Sequence, residues 1–288
     1  MRKMESRFAP AIVAGVFAAA VAALPAPAAQ GDGVPNFAPD ASTAWIAAGQ
    51  DFLPPASGPG PIMPDPAHRP VPGRPQFRVA DLSNPILQPW VRDALRQANE
   101  RALSGKAAYT PKERCWPIGM PGFLLYPVFP VYFLQTPKEV TMIWSEDHQV
   151  RHIYLDQPHS PRLTPSWFGE SVGRYEGDTL VVDTTGLNAK TFVDNYRTPH
   201  TDKLHVTERF RLIDGGKTLE ARVHVEDPGA FTMPWDAVQR YRRIGAAGDA
   251  ADPRVPKGPM EEMVCAENNG DIFGEGLEPI PTAARPDF

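Results

Sequence analysis

One segment of the chain carries a motif that could do covalent chemistry. The pentapeptide G-E-S-V-G (169–173) fits the G-x-S-x-G nucleophile elbow, and Asp183 and then His200 or His205 follow in the hydrolase order Ser, Asp, His. An elbow needs a helix directly after its serine. Here R-Y-E-G-D-T-L-V-V follows Ser171, which is the pattern of a tight turn between two strands. We therefore expect the glycines to serve a bend in a curved sheet, and we keep a serine hydrolase as a lesser alternative.

Histidine and carboxylate side chains are the second group that could do chemistry. His200, His205 and Glu208, with Asp183 or His152 brought in by the fold, have the residue types of a zinc or iron site. On a strand, however, His205 and Glu208 point to opposite faces because their separation is odd. We therefore predict no metal site and no cofactor, and we take His152, Asp183, His200 and His205 as candidate general acids and bases.

His152 has two possible settings. It shares one face of a predicted strand with Tyr154, whereas Arg151, Ile153 and Leu155 share the other face. If the His152 face points inward, the imidazole lies in an apolar barrel, where a base that titrates near neutral pH can work. The alternative is a structural histidine that is hydrogen-bonded to backbone.

Aromatic residues favour the binding of a small molecule. We expect Trp144, Tyr154 and Trp167 to enclose a small apolar or aromatic ligand. Most arginines of the predicted strands belong to a solvated outer face. One or two, with Arg209 as the candidate, could reach the mouth of a pocket and hold a carboxylate or sulfate group.

The elements that must position these residues are strands. Apolar and polar residues alternate in three predicted hairpins and in a seventh strand, over residues 140–156, 171–184, 204–226 and 237–244. Consecutive hairpins form a meander, and closure hides its edges. The predicted fold is therefore mainly β: an antiparallel meander that closes into a lipocalin-like barrel or a strongly curved sheet.

Two further elements precede the predicted meander. Residues 29–80 are rich in proline, with an apolar patch around residues 45–52, and we predict an extended arm that wraps the surface. Apolar residues at helical spacing over residues 83–104 predict one amphipathic helix, with Ser83 as its cap and Pro85 in its first turn. Residues 81–288 are then a single β-rich domain with an N-terminal helix.

The N-terminal residues have the form of a secretory signal peptide. Arg2, Lys3 and Arg7 precede an apolar run that ends in small residues, which predicts cleavage near Ala28 and a periplasmic location in a Gram-negative cell. Loss of residues 1–28 removes three basic residues and one acidic residue, so the formal charge moves from −5 to −7. An acidic surface argues against nucleic acid as a partner. We expect no integral membrane segment after processing, because no later stretch is long and apolar enough.

The chain has two cysteines, Cys115 and Cys265. In an oxidising compartment such a pair predicts a disulfide. A reactive thiol or a metal ligand is the alternative, but there is no C-x-x-C motif, and no histidine adjoins either cysteine.

Several long strings resemble one family. These are R-H-I-Y-L-D (151–156), W-F-G-E-S-V-G-R-Y-E-G-D-T-L-V-V-D-T (167–184), P-H-T-D-K-L-H-V-T-E-R-F (199–210) and C-A-E-N-N (265–269). Together with Pro158 and His159 they resemble an uncharacterised family of exported proteins from Proteobacteria and Acidobacteria. The resemblance covers roughly half of the chain and implies export and a single domain, without an established activity. The sequence departs from the family's usual Trp at Tyr175 and Gly-Arg at Gln157.

Two functions from different classes fit these observations. The first is a periplasmic barrel that binds a small apolar or aromatic molecule in its cavity. The second is a cofactor-independent lyase, isomerase or hydratase that uses histidine and aspartate as general acid and base in the same cavity. The absence of a strong nucleophile, cofactor or metal motif favours binding.

Overall fold

The structure is a computed structural model and describes residues 33–40, 43–69, 77–106, 110–111, 115–125, 129–145, 147 and 149–244. Within these ranges the regular elements are nine strands, one α-helix and two short 3-10 turns. They are β1 (Ala44–Ala47), α1 (Pro89–Leu103), a 3-10 turn (Gly122–Leu125), β2 (Val131–Gln135), β3 (Glu139–Trp144), β4 (Gln149–Leu155), β5 (Glu170–Glu176), β6 (Thr179–Thr185), β7 (His205–Ile213), a 3-10 turn (Asp214–Gly216), β8 (Thr218–Glu226) and β9 (Trp235–Ile244).

The nine strands form a closed barrel in sequence order. Closure depends on β1, which pairs with β9 through Ala44 and Ile244 and with β2 through Trp45 and Val131. A closed sheet has no unpaired edge to attract another chain. The prediction of a mainly β, lipocalin-like barrel with one helix is confirmed, and all seven predicted strands are present.

Two strands lack the clear signals that predict a strand. All four residues of β1 are buried, because Trp45 and Ala47 belong to the main core while Ala44 and Ile46 pack in a second, smaller cluster. β2 has only five residues and directly follows Pro130. The segment 29–80, predicted to be an arm, thus contributes the strand that closes the barrel.

One pairing is not antiparallel. β4 and β5 run parallel, with Ile153 opposite Ser171 and Leu155 opposite Gly173. Parallel neighbours cannot be joined by a tight turn, so the chain must return along the outside of the barrel before it enters β5. Residues 156–169 make this return, and we call them the crossover. They are the element that builds the groove described below.

Two glycines of the G-E-S-V-G motif are required where the crossover joins the sheet. Gly169 has a φ of +63°, and a Cβ there would lie 2.3 Å from the Thr185 carbonyl oxygen. A Cβ on Gly173 would lie 2.8 Å from Ile153 Cγ2 on the neighbouring strand. The two glycines therefore allow close packing between neighbouring strands, and the bend in a curved sheet that the sequence predicts for them stays a prediction.

The helix begins later than predicted. α1 starts at Pro89, with Gln88 rather than Ser83 at its N-cap position. Pro89 suits the first helical position because its fixed φ fits a helix and its missing N–H would have no partner there. Val91 and Leu95 form the buried stripe.

None of the helices in the described ranges is long and apolar enough to cross a membrane.

The interior of the barrel is a packed core. The rings of Phe133 on β2 and Phe210 on β7 lie 6.4 Å apart between centroids, although these strands are not neighbours. Aromatic rings at this separation are in contact, so side chains bridge the barrel from wall to wall. A ligand cavity inside the barrel stays a prediction.

Candidate functional site

A buried ion pair also crosses the interior. Arg151 of β4 and Glu208 of β7 both have fully buried side chains. The guanidinium makes a bidentate contact with the carboxylate, and its Nη1 donates to Glu208 Oε1 at 2.8 Å. Its Nη2 also donates to Thr184 Oγ1 at 2.9 Å and to Ser171 Oγ at 3.1 Å. These charged groups satisfy one another.

Ser171 has a structural role. Its side chain points inward, and the residue is 2% exposed. Its hydroxyl accepts hydrogen bonds from Arg151 and lies 2.9 Å from Thr184 Oγ1. Within the described ranges no imidazole is hydrogen-bonded to this hydroxyl, so the arrangement lacks the base that activates a serine.

Trp144, a predicted ligand-binding residue, lies in the core. It is fully buried and packs edge-on against Phe123 and Phe129, with centroid distances of 6.2 and 6.1 Å. Trp144 thus stabilises the barrel rather than a site.

His200 is also buried, at 3% exposure. Its Nδ1 lies 2.8 Å from the Thr201 carbonyl oxygen, which can only accept, so Nδ1 carries the proton. Its Nε2 then accepts from the Thr191 hydroxyl at 2.9 Å. Burial lowers the pKa of His200, and this favours the neutral ring that both hydrogen bonds require. His200 is a structural histidine of the loop before β7.

His152 and Tyr154 face outward, so the alternative that placed His152 in the barrel is wrong. Along β4 the inward residues are Arg151, Ile153 and Leu155, and the exposed ones alternate with them. The His152 and Tyr154 rings are parallel within 10°, with centroids 6.2 Å apart. His152 Nδ1 contacts Glu139 Oε1 at 2.5 Å. The pair forms a partly aromatic surface on the outside of the barrel.

This surface is the floor of an open groove of about 490 Å³. The crossover forms its opposite wall, and we call it the crossover groove. Three of its lining side chains, Val150, Tyr154 and Leu163, are large and apolar yet 38%, 39% and 38% exposed. Trp167 also lines it and packs against Trp116 at a centroid distance of 5.2 Å. Two predicted ligand-binding residues, Tyr154 and Trp167, therefore meet here, outside the barrel.

A chain of alternating carboxylates and imidazoles crosses the outer face beside the groove. We call it the histidine–carboxylate chain, and it consists, in spatial order, of Glu170, His159, Asp183, His205, Glu226, His224 and Asp236. Asp183 Oδ1 lies 2.7 Å from His159 Nε2, and Asp183 Oδ2 lies 3.0 Å from His205 Nε2. The predicted Asp183–His205 convergence is thus present, although on the outer face.

The chain perturbs the ionisation of its members. Burial lowers the pKa of His205, but hydrogen bonds to Glu226 and Asp183 outweigh it, so the net pKa is raised. Burial likewise raises the pKa of Asp183, but hydrogen bonds from His159 and His205 leave it lowered. Both nitrogens of the His205 ring face carboxylates, which only accept when ionised. This arrangement favours the imidazolium form of the ring, which is unable to accept a proton.

A smaller open groove of about 240 Å³ lies on the other side of the crossover. Asp183 lines it together with Asp156, Pro158 and Arg174. Arg209, predicted at a pocket mouth, lies in neither groove. Its Nη2 instead donates to Glu176 Oε2 at 2.7 Å, near the β5–β6 turn.

In the part of the chain that the structure describes, no three His, Cys, Asp or Glu side chains are arranged to hold a metal ion. Cys265 lies outside the described residues, and so does the segment 1–28. The Cys115–Cys265 disulfide and the signal peptide therefore stay predictions.

Sequence reasoning missed two partners. Glu208 completes the buried ion pair with Arg151, and His159 joins Glu170 to Asp183 in the histidine–carboxylate chain. Glu208 was considered only as a metal ligand, and its even spacing from Phe210, a core residue of the same strand, was the signal that it points inward. His159 had no such signal, because the proline-rich crossover has no periodicity that predicts a face.

Comparison with protein-family models and with curated proteins finds no match for the sequence.

Proposed function

We propose that this protein is a binding module that takes a small apolar or aromatic molecule into the crossover groove. One observation carries the proposal: three large apolar side chains, Val150, Tyr154 and Leu163, are exposed in one concave site. Exposed apolar groups that cluster in a concavity are typical of ligand sites, and the volume of the groove is in the range of small-molecule pockets.

The lining of the groove suits an aromatic ligand. The exposed Tyr154 ring beside His152 offers an aromatic floor, and Leu163 offers an aliphatic wall. An aromatic ligand would stack on the floor with its ring centroid within about 4.5–7 Å of the Tyr154 ring, the spacing of favourable aromatic pairs. Export to the periplasm and membership of the exported family remain part of this proposal.

Titration with naphthol, a neutral aromatic probe, tests the proposal. Tyr154→Ala and Leu163→Ser each remove apolar contact area and should weaken binding roughly tenfold. Leu134→Ser is the matched control, since Leu134 is 55% exposed on β2 and does not line the groove. Wild-type protein that fails to bind naphthol, or binding that all three variants leave unchanged, would refute the site.

Acid–base catalysis is the second candidate, because Asp183 and His205 are within hydrogen-bond reach beside the smaller groove. With both ring nitrogens held by carboxylates, His205 suits a general acid better than a general base. His205→Gln would separate the candidates, since an enzyme loses turnover and a binding module keeps its affinity for naphthol.

A further inference from the structure

Of the titratable side chains that line the crossover groove, His152 and Glu170 have hydrogen-bond partners, and Arg162 has none within the described ranges. His152 is paired with Glu139, and Glu170 accepts from the Ser160 backbone N–H at 2.6 Å and from His159 at 3.1 Å. Arg162 is exposed and lines the groove, yet within the described ranges it makes no ion pair or hydrogen bond. Its guanidinium therefore keeps all five donors available.

The chain as a whole carries a formal charge of −5. An anion that binds this acidic protein needs a local cation to offset the overall field, and Arg162 supplies one at the groove.

We propose that the ligand of the crossover groove is an apolar or aromatic carboxylate and that Arg162 is the residue that recognises its carboxylate. This inference rests on the proposed function. Arginine suits the role because its planar guanidinium matches a carboxylate with two parallel hydrogen bonds. The apolar body of the ligand then packs on Val150, Tyr154 and Leu163, and its carboxylate lies at the open edge.

The other arginines of the outer face are less suited. Arg209 and Arg174 both donate to Glu176, at 2.7 and 2.6 Å. Arg211, Arg222 and Arg240 all contact Glu220. A carboxylate ligand would have to displace a protein carboxylate from each of them, whereas at Arg162 it displaces only water.

Paired probes test the inference. Naphthoate and naphthol share the same aromatic body, so their affinity ratio at neutral pH isolates the carboxylate. We expect wild-type protein to bind naphthoate about fivefold more tightly, with the preference falling as salt is added. Arg162→Gln should abolish the preference and leave the affinity for naphthol unchanged. Arg209→Gln removes an equal charge outside the groove and should keep the preference.

Each outcome is decisive. Equal affinity of wild-type protein for the two probes, or an unchanged preference in Arg162→Gln, overturns the carboxylate inference while naphthol binding still supports the groove. An equal loss of preference in Arg209→Gln also overturns it, because the effect would then be a general effect of charge. Failure of both probes to bind removes the proposed function itself.

Discussion

The barrel places charges in two opposite settings. Inside, Arg151 and Glu208 have no exposed side-chain surface and are surrounded by packed apolar residues. Outside, the histidine–carboxylate chain has the same alternation of charge, but its His205 and Asp183 side chains are 34% and 36% exposed. Buried charges must be satisfied for the fold to form, whereas solvent screens half-exposed ones.

This difference indicates where function can reside. The interior ion pair is complete, and removal of one partner should destabilise the fold, so its charged groups are already satisfied and need no ligand. The outer face combines exposed apolar groups, titratable groups and an arginine without a partner in the described ranges. The barrel thus acts as a scaffold, and the crossover on its outside builds the site.

The largest expected effect comes from the interior. Glu208→Gln leaves the Arg151 guanidinium buried without a counter-charge and should lower the free energy of unfolding by about 3–5 kcal/mol. Urea denaturation monitored by tryptophan fluorescence measures this loss. The matched control is Glu176→Gln, which removes an exposed carboxylate that also bridges two arginines and should change the free energy of unfolding far less.

If Glu208→Gln folds too poorly to measure, a double variant keeps the comparison open. Arg151→Met with Glu208→Leu replaces both charges by apolar groups and should recover most of the lost stability. Equal losses of unfolding free energy in Glu208→Gln and Glu176→Gln would show that the buried ion pair matters no more for stability than an exposed one.

Ser171→Ala should have an intermediate effect. It removes a buried hydroxyl that accepts from Arg151, and we expect a loss of about 1–3 kcal/mol in the free energy of unfolding. Ser104→Ala, at an exposed hydroxyl, should change stability by less than about 0.5 kcal/mol. A stable Ser171→Ala protein that loses a robust esterase activity would restore the nucleophile elbow.

The histidine–carboxylate chain should make the smallest contribution to the free energy of unfolding, and this contribution should depend on pH. The pKa of His205 is raised in the fold, so its stabilisation is complete below its ordinary pKa of 6.5 and is lost as the pH rises through the folded value. The pKa values of Asp183 and Glu226 are lowered, so their contribution is lost at acidic pH as the pH falls through the folded values. The histidine–carboxylate chain therefore stabilises the fold most in the mildly acidic window between these limits.

Comparison of wild type with His205→Gln isolates the contribution of the His205 charge to the free energy of unfolding. The difference in unfolding free energy should be about 1 kcal/mol or less in that window and should shrink on both sides of it. A difference that is constant from acidic to alkaline pH would indicate that the His205 charge contributes nothing.

Local patterns predicted the strands but left the choice of face open. On β4 the alternation separated Arg151 from His152 correctly, yet both faces contain polar and apolar residues. The choice depends on Glu208, which is 57 residues away and reaches Arg151 only after β5 and β6 lie between them. A pattern within one strand contains no information about such a partner.

The sequence predicted only part of the candidate site, the Asp183–His205 pair, because the groove depends on residues that are far apart in the chain. Asp183 and His205 converge because β6 and β7 pair with Asp183 opposite Thr207, an arrangement that consecutive strands favour. The groove itself depends on the parallel β4–β5 pairing and on the path of the crossover. Prolines at 158, 161 and 165 exclude regular structure there without specifying a path.

The location of a bound aromatic molecule tests the central claim most directly. Intermolecular nuclear Overhauser effects should connect the ring protons of naphthol to the methyl groups of Val150 and Leu163, which line the crossover groove. Val206 and Val223, which are buried inside the barrel, should show none. Contacts to Val206 and Val223 in place of Val150 and Leu163 would put the ligand inside the barrel and contradict the account.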